Sequence, residues 1–219
     1  QLIWNSNNSS FRAGYASTTW SSDNSGQYSA AFGYDNKIVG DYGFGAGQDN
    51  SVTGSASVVF GKDNSVNTDD DGYNAVLSGG SSDVYGQYSV IAGGKENSII
   101  GDYSGVLSGN DNDIGETSDS DGSLIVGGYS NSIDADYSVI LGGTNHTILS
   151  SGDGYSVILG GYSNSIDGNY SIAMGRNADV DHDNVFIFND SINTVTSTGS
   201  NQFIVYATNG FGIGNASPT

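Results

Sequence analysis

Two histidines and a large surplus of carboxylates are the side chains with the most evident capacity for chemistry. His182 lies between Asp181 and Asp183, where an imidazole could pair with a carboxylate for acid–base work. His146 stands apart, in Thr144-Asn145-His146-Thr147. Neither sits in a recognisable nucleophile motif, and the Asp-His-Asp run reads more simply as part of a terminal cap. With no Cys there is no thiol nucleophile, thiolate metal site or disulfide. Carboxylate pairs of the glycosidase kind cannot be picked out, because 24 acidic residues offer many pairs and no preferred one. The acids do cluster. Asp69, Asp70 and Asp71 form one group, Glu116, Asp119 and Asp121 another, and Asp153 lies in a third polar stretch. Hard cations take oxygen ligands from such loops, so calcium is the one cofactor they would hold, and chelation would then lower the melting temperature. The EF-hand pattern and the Gly-Gly-x-Gly-x-Asp nonapeptide of calcium-binding rolls are both missing from the sequence. Solvated loops that keep a β-prone chain dispersed are the simpler reading.

The elements that carry these residues are constrained first by composition. The 219 residues suggest one domain, and a formal charge of -19 from 5 basic and 24 acidic residues argues against nucleic acid and anionic membrane as partners. No apolar stretch approaches the ~20 residues of a membrane helix, and the first residues do not read as a signal peptide. Leu, Ile, Val and Phe make up roughly a fifth of the chain, near the level below which a highly charged sequence is disordered. Composition leaves order undecided; residue order decides it.

A short repeat runs through most of the chain. Gly86-Gln-Tyr-Ser-Val-Ile-Ala-Gly-Gly-Lys-Glu-Asn-Ser-Ile99 returns in outline from Gly101 to Ile114 and nearly verbatim from Gly154 to Ile166. The anchors are Tyr28, Tyr42, Ala56, Tyr73, Tyr88, Tyr103, Gly122, Tyr137, Tyr155 and Tyr170. A second apolar position follows each: Ile38, Val52, Val66, Val84, Ile99, Ile114, Ile133, Ile148, Ile166 and Val180. Copies run 14 or 15 residues, as from Tyr28 to Tyr42 and from Tyr88 to Tyr103, except where polar insertions at 67–72, 115–121 and 149–154 lengthen them. Insertions of this kind map to loops on one face of a stacked repeat.

Each copy reads as strand, turn, strand, turn. Ser-Val-Ile-Leu is short, β-branched and bounded by Gly, which excludes a helix. Asn-Ser-Ile, as at Asn97–Ile99, makes a second shorter strand, and Gly-Gly-x-x between them supplies a tight turn. The expected fold is therefore all-β: a parallel β-roll, a solenoid of two short strands per 14–15-residue rung. Three regions are expected: an opening segment at 1–25 with a degenerate rung at Ser10–Gly14, a ten-rung roll at 26–181, and a C-terminal capping β module at 182–219. Ten rungs spaced about 4.8 Å apart span roughly 43 Å from first to last.

The first strand is apolar on both faces. Val90 with Ala92, Val139 with Leu141, Val157 with Leu159 and Ile172 with Met174 share one side of the pleat, and these are expected to fill the coil. The residues between them, Val59, Val76, Ile91, Val106, Ile125, Ile140 and Ile158, then point outward. A strand apolar on both faces should be covered on both, and no spare segment is long enough to do it, so this second set is expected to form a subunit interface. Asn36, Asn50, Asn64, Asn97, Asn112, Asn131 and Asn164 would either ladder between rungs or serve only their local turns. The Tyr column would either pack between rungs or offer a contact surface. Ice binding by a flat solenoid would need a repeated Thr column, and the sequence has none.

Ser29-Ala-Ala-Phe-Gly33 and Ser171-Ile-Ala-Met-Gly175 resemble the head repeat of YadA-like trimeric autotransporter adhesins, Asn-Ser-Val-Ala-Ile-Gly. The fuller Tyr-Ser-Val-Ile-Leu-Gly-Gly-Tyr-Ser-Asn-Ser-Ile form looks like the variant in fibre proteins of tailed phages, large DNA viruses and environmental bacteria. The resemblance covers residues 26–181. His182–Asp190 and Ser197–Gly214 look like the module that often closes such rolls before a stalk or an intramolecular chaperone, which implies a fragment of a longer fibre. It further implies a left-handed roll and a homotrimer of parallel rolls; spacing shows neither. A left-handed coil departs from the right-handed crossover rule, which is weakest where short turns replace a helix. The adhesins often carry Ala where this chain has Ile or Val between the paired apolar positions, which would pack larger side chains about the trimer axis.

The function implied is non-enzymatic: the trimeric shaft or head of an attachment fibre, on a virion or a cell surface and hence extracellular. Its partners would be further copies of itself and a cell-surface receptor or glycan, without membrane insertion. A bacterial adhesin head, a filament subunit without a receptor, and a glycan-cleaving tail spike are the alternatives; the spike would show polysaccharide turnover and close carboxylates in a cleft.

Overall fold

A computed structural model describes residues 2–16, 25–68, 72–115, 120–149 and 154–211. Among them there is no helix. Short strands wind into two sheets, one of 15 strands and one of 11. Each coil lays one strand on the larger sheet and the next on the smaller, as Val139–Ile140, Thr147–Leu149 and Val157–Tyr162 do in succession. Neighbouring coils pair in parallel and in register, Val139 opposite Val157 and Ile148 opposite Ile166. Turn residues pair in the same way, so that Tyr103 N–H donates to the Gln87 carbonyl and Asp111 N–H to that of Lys95. The chain is a parallel β-solenoid.

Its interior is one side-chain pair wide. Ile99, Ile114, Ile133, Ile148 and Ile166 of the smaller sheet are buried, as are their counterparts throughout that column. Facing them from the larger sheet are Val59, Val76, Ile91, Val106, Ile125, Ile140 and Ile158, each fully buried within the single chain. This reverses the expected orientation of the first strand. These seven residues fill the coil and cannot form an interface between copies, and it is their flanking neighbours that face outward. The larger Ile and Val at this position therefore thicken the coil's own core, not the packing about a trimer axis. Volume is traded across the interior: a Cβ on Gly45 would lie 2.2 Å from Ile38 Cδ1.

The reason for the orientation is polar. The residue after each anchor, Ser in all but two rungs (Gly43 and Asn74), is buried, and the Ser hydroxyls ladder along the axis: Ser104, Ser123 and Ser138 N–H donate to Ser89, Ser104 and Ser123 Oγ at 3.0–3.1 Å. Ser89 Oγ in turn donates to the Gly101 carbonyl (3.0 Å). A buried Ser puts the residue two further on inside as well, because a strand alternates with period 2. Turns on the other side need glycine at defined points. Gly109 has φ 109°, and a Cβ there would meet the Gly128 carbonyl of the next rung at 2.4 Å.

The two ends differ from the middle. Ser10–Tyr15 pairs in parallel register with Ala30–Tyr34, and Leu2–Asn5 folds back antiparallel on its outer side. Arg12 occupies the interior position of this first coil at 4% exposure, donating through Nη2 to the Ile38 carbonyl (2.8 Å) and Ser29 Oγ (3.2 Å). Its burial lowers the guanidinium pKa to about 10. At the other end the repeat fades after Asp181 but the coil does not. Phe186–Asn189 and Phe203–Tyr206 continue the larger sheet, and Val195–Thr196 the smaller.

Candidate contact surface

With the interior assigned, the outer face of the larger sheet is the exposed apolar surface. One column runs from Phe11 through Phe44, Val58, Val90, Leu124 and Ile172 to Phe203, each beside the next rung's equivalent. A second, two residues on, contains Phe32, Phe60, Leu77, Leu107, Leu141, Leu159 and Met174; Leu77 is 49% and Leu141 47% exposed. Among the described residues, no side chain in either column is charged. At about 4.8 Å per rung the stripe is on the order of 60 Å long. The outer face of the smaller sheet is its opposite, with Lys37, Ser51, Ser65, Asp83, Ser98, Asp113, Ser132 and Thr147 in successive rungs. Burial raises the Asp83 carboxyl pKa.

The anchor column borders this stripe on one edge. Every anchor has positive φ, from 47° at Tyr73 to 67° at Gly122. Backbone of this kind disfavours a bulky side chain, and ring stacking offsets it. Tyr73, Tyr88 and Tyr103 stack at 5.2 and 5.0 Å with rings within 5° of parallel, and Tyr137, Tyr155 and Tyr170 form a second stacked run at 5.0 and 5.4 Å, inclined by 17° and 3°. The Tyr column thus packs between rungs, with its ring edges exposed. The opposite edge of the stripe carries Tyr34, Lys62, Lys95, Tyr129, Tyr162 and Arg176 in aligned rungs, the Arg176 guanidinium lying 5.4 Å from the Tyr162 ring centroid.

Asn side chains close the interior below the other turn, in both of the ways considered. Asn50 Nδ2 donates to Asn36 Oδ1 (2.8 Å) and Asn131 Nδ2 to Asn112 Oδ1 (3.0 Å), a ladder between rungs. The same Nδ2 atoms serve their own turns, as from Asn36 to the Phe32 carbonyl (2.7 Å). Ser82 and His146 take places in this column. His146 accepts the Asn164 N–H at Nδ1 (3.1 Å), which leaves the ring proton on Nε2, on the side of the Gly161 carbonyl but not in ordinary hydrogen-bond geometry. Burial holds its pKa below the usual 6.5. His146 is thus a ladder residue inside the coil.

The remaining candidates fall in turns. His182 Nδ1 lies 3.0 Å from Ser197 Oγ, while Asp183 Oδ1 accepts the Asn169 N–H (2.8 Å). Asp121 belongs to a set that sequence reasoning did not separate from the loops. Its Oδ1 accepts the Asp102 N–H (2.9 Å), Asp102 Oδ1 accepts the Gln87 N–H (2.6 Å), and Asp136 Oδ1 the Asp121 N–H (3.1 Å). These aspartates pin successive turns to one another; their recurrence just before the anchor was the available signal. Asp69, Asp70, Asp71, Glu116, Asp119 and Asp153 lie outside the described residues. Among the described residues, no three His, Asp or Glu side chains converge as metal ligands would, and no helix is long and apolar enough to cross a membrane.

Comparison with protein-family models and with curated proteins found no match to this chain.

Proposed function

We propose that this chain is a segment of a homotrimeric extracellular attachment fibre, a rigid shaft or head on a virion or cell surface, with no catalytic role of its own. The observation that carries the reading is the uncharged apolar stripe along the larger sheet, in a chain of formal charge -19. A stripe of that length is far beyond the isolated apolar residues of an ordinary surface. Each Val, Ile, Leu or Phe fully covered by a neighbouring copy would contribute about 1.5–3 kcal/mol. The outward columns as far as Val157 and Leu159, not the seven interior residues first assigned, are the surface that such copies would share. The number three, the parallel alignment and the left hand rest on the resemblance of the repeats to trimeric adhesin heads and phage or viral fibres.

Such a rod works mechanically and by multivalency: it sets reach, and three weak contacts act as one. The experiment is retention of the labelled protein on an array of cell-envelope glycans, run beside a reducing-end assay on the same polysaccharides. Retention that is lost in a dissociated Leu141→Asp variant, with no release of reducing ends, is expected. Steady release of reducing ends would make it a glycan-cleaving spike, and no retention at all a filament subunit without a receptor.

A further inference from the structure

Past Tyr170 the anchor column changes character. The next two anchors are Asn184 and Asn201, with φ 57° and 62°, so the backbone turn is kept while the ring is replaced by a short carboxamide. In the same rungs the neighbouring outer column becomes aromatic: Ile172 is followed by Phe186 and Phe203, whose rings stack at 4.8 Å and 13°. Small residues beside large flat ones leave a groove of about 420 Å³, with Tyr170 bordering its N-terminal side. Phe203 is 70% exposed, and both Asn side chains are exposed.

We infer that this groove is a binding site for a neutral, extended β-linked glycan lying along the solenoid axis. Each of two successive rungs presents one aromatic ring and one carboxamide. A pyranose ring offers the matching pair, an apolar C–H face for the aromatic and hydroxyls for the amide. The rung spacing of about 4.8 Å is close to the advance per residue of an extended β-linked hexopyranose chain, so two sugars would stay in phase with two rungs. Charge selects against anionic glycans: Asp183 adjoins Asn184, Asp190 lies at the end of the same rung, and the chain carries -19 overall. The groove is built within one chain, in rungs beyond the part of the stripe assigned to neighbouring copies, so the inference does not depend on trimer formation.

The test is saturation-transfer NMR with cellotetraose, chitotetraose, maltotetraose and tetragalacturonate. Transfer to at least one β-linked neutral tetrasaccharide is expected, with at least tenfold less to the α-linked and anionic ones. Asn184→Tyr, which extends the Tyr stack into the groove, should abolish it while melting temperature is held or raised; Asn201→Tyr serves if the first variant fails to fold. No transfer to either β-linked probe, or transfer undiminished in a folded Tyr variant, would overturn the inference. A wrong oligomeric state would leave the NMR result unchanged, so the two proposals fail separately.

Discussion

Tyrosine at φ 55° is a costly residue for its backbone, and Tyr88 keeps that conformation with a ring stacked on each side. Two stacked pairs are worth about 1–3 kcal/mol together, against about 1–2 kcal/mol for a side chain in left-handed backbone. Tyr88→Ala should therefore lower stability by about 1–3 kcal/mol, and Tyr88→Gly by less, since glycine regains the backbone term; urea melts of the two variants check the order. His146 makes a second test at this scale. Its folded pKa lies below the unfolded value of 6.5, so between the two the unfolded chain binds more protons. Stability from this group is full above 6.5 and falls as pH drops toward the folded pKa. His146→Asn restores the ladder amide, and its melting temperature should fall less than the parent's between pH 7.5 and 5; an equal or steeper fall would contradict the buried neutral imidazole.

Within one rung, buried polar atoms matter as much as apolar ones. Asn112 Oδ1 accepts from Asn131 N–H and Nδ2, and its own Nδ2 donates to the Gly128 carbonyl. Asn112→Ala strands these buried groups and should cost about 2–4 kcal/mol. Asn112→Ser should cost less, since Ser82 already holds a place in this column, accepting the Asn97 N–H at Oγ (3.3 Å). The rung itself was legible from spacing: the strands, the turns and the Asn column all follow from Gly, Asn and β-branched residues at fixed offsets. Which face of the first strand lies inside was not, because both faces are apolar and alternation alone cannot rank them. The deciding signal was the Ser before the strand, as at Ser89 and Ser104, whose buried hydroxyl sets the phase. Size gave a second: past Arg12 the interior column holds nothing larger than Ile, whereas the outer columns range from Gly105 to Phe60. The last rungs were hidden for a different reason. Phe186–Asn189 keeps the hydrogen-bonded register while abandoning the Tyr-Ser-Val-Ile wording, so the fold outlasts the repeat.

For the molecule as a whole, the two apolar sets should behave oppositely. Ile125→Ala removes interior volume and should cost about 2–5 kcal/mol at every protein concentration. Leu141→Ala touches only the outer stripe, so its cost should appear where copies associate and vanish on dilution. An apolar face turned away from the coil interior was foreseeable from the sequence; its location was mistaken by one residue in each strand, which moves the whole set to the other side of the sheet. The groove beyond Tyr170 had no such signature, because it arises from Asn184 and Phe186 being small and large side by side. Sedimentation equilibrium of the intact chain and of a Leu107→Asp/Leu141→Asp variant addresses the outer stripe most directly. The parent should sediment at three times its 22.5 kDa chain mass, and the folded variant at one. A parent that stays monomeric at tens of micromolar, with Leu107 and Leu141 open to solvent, would contradict the account.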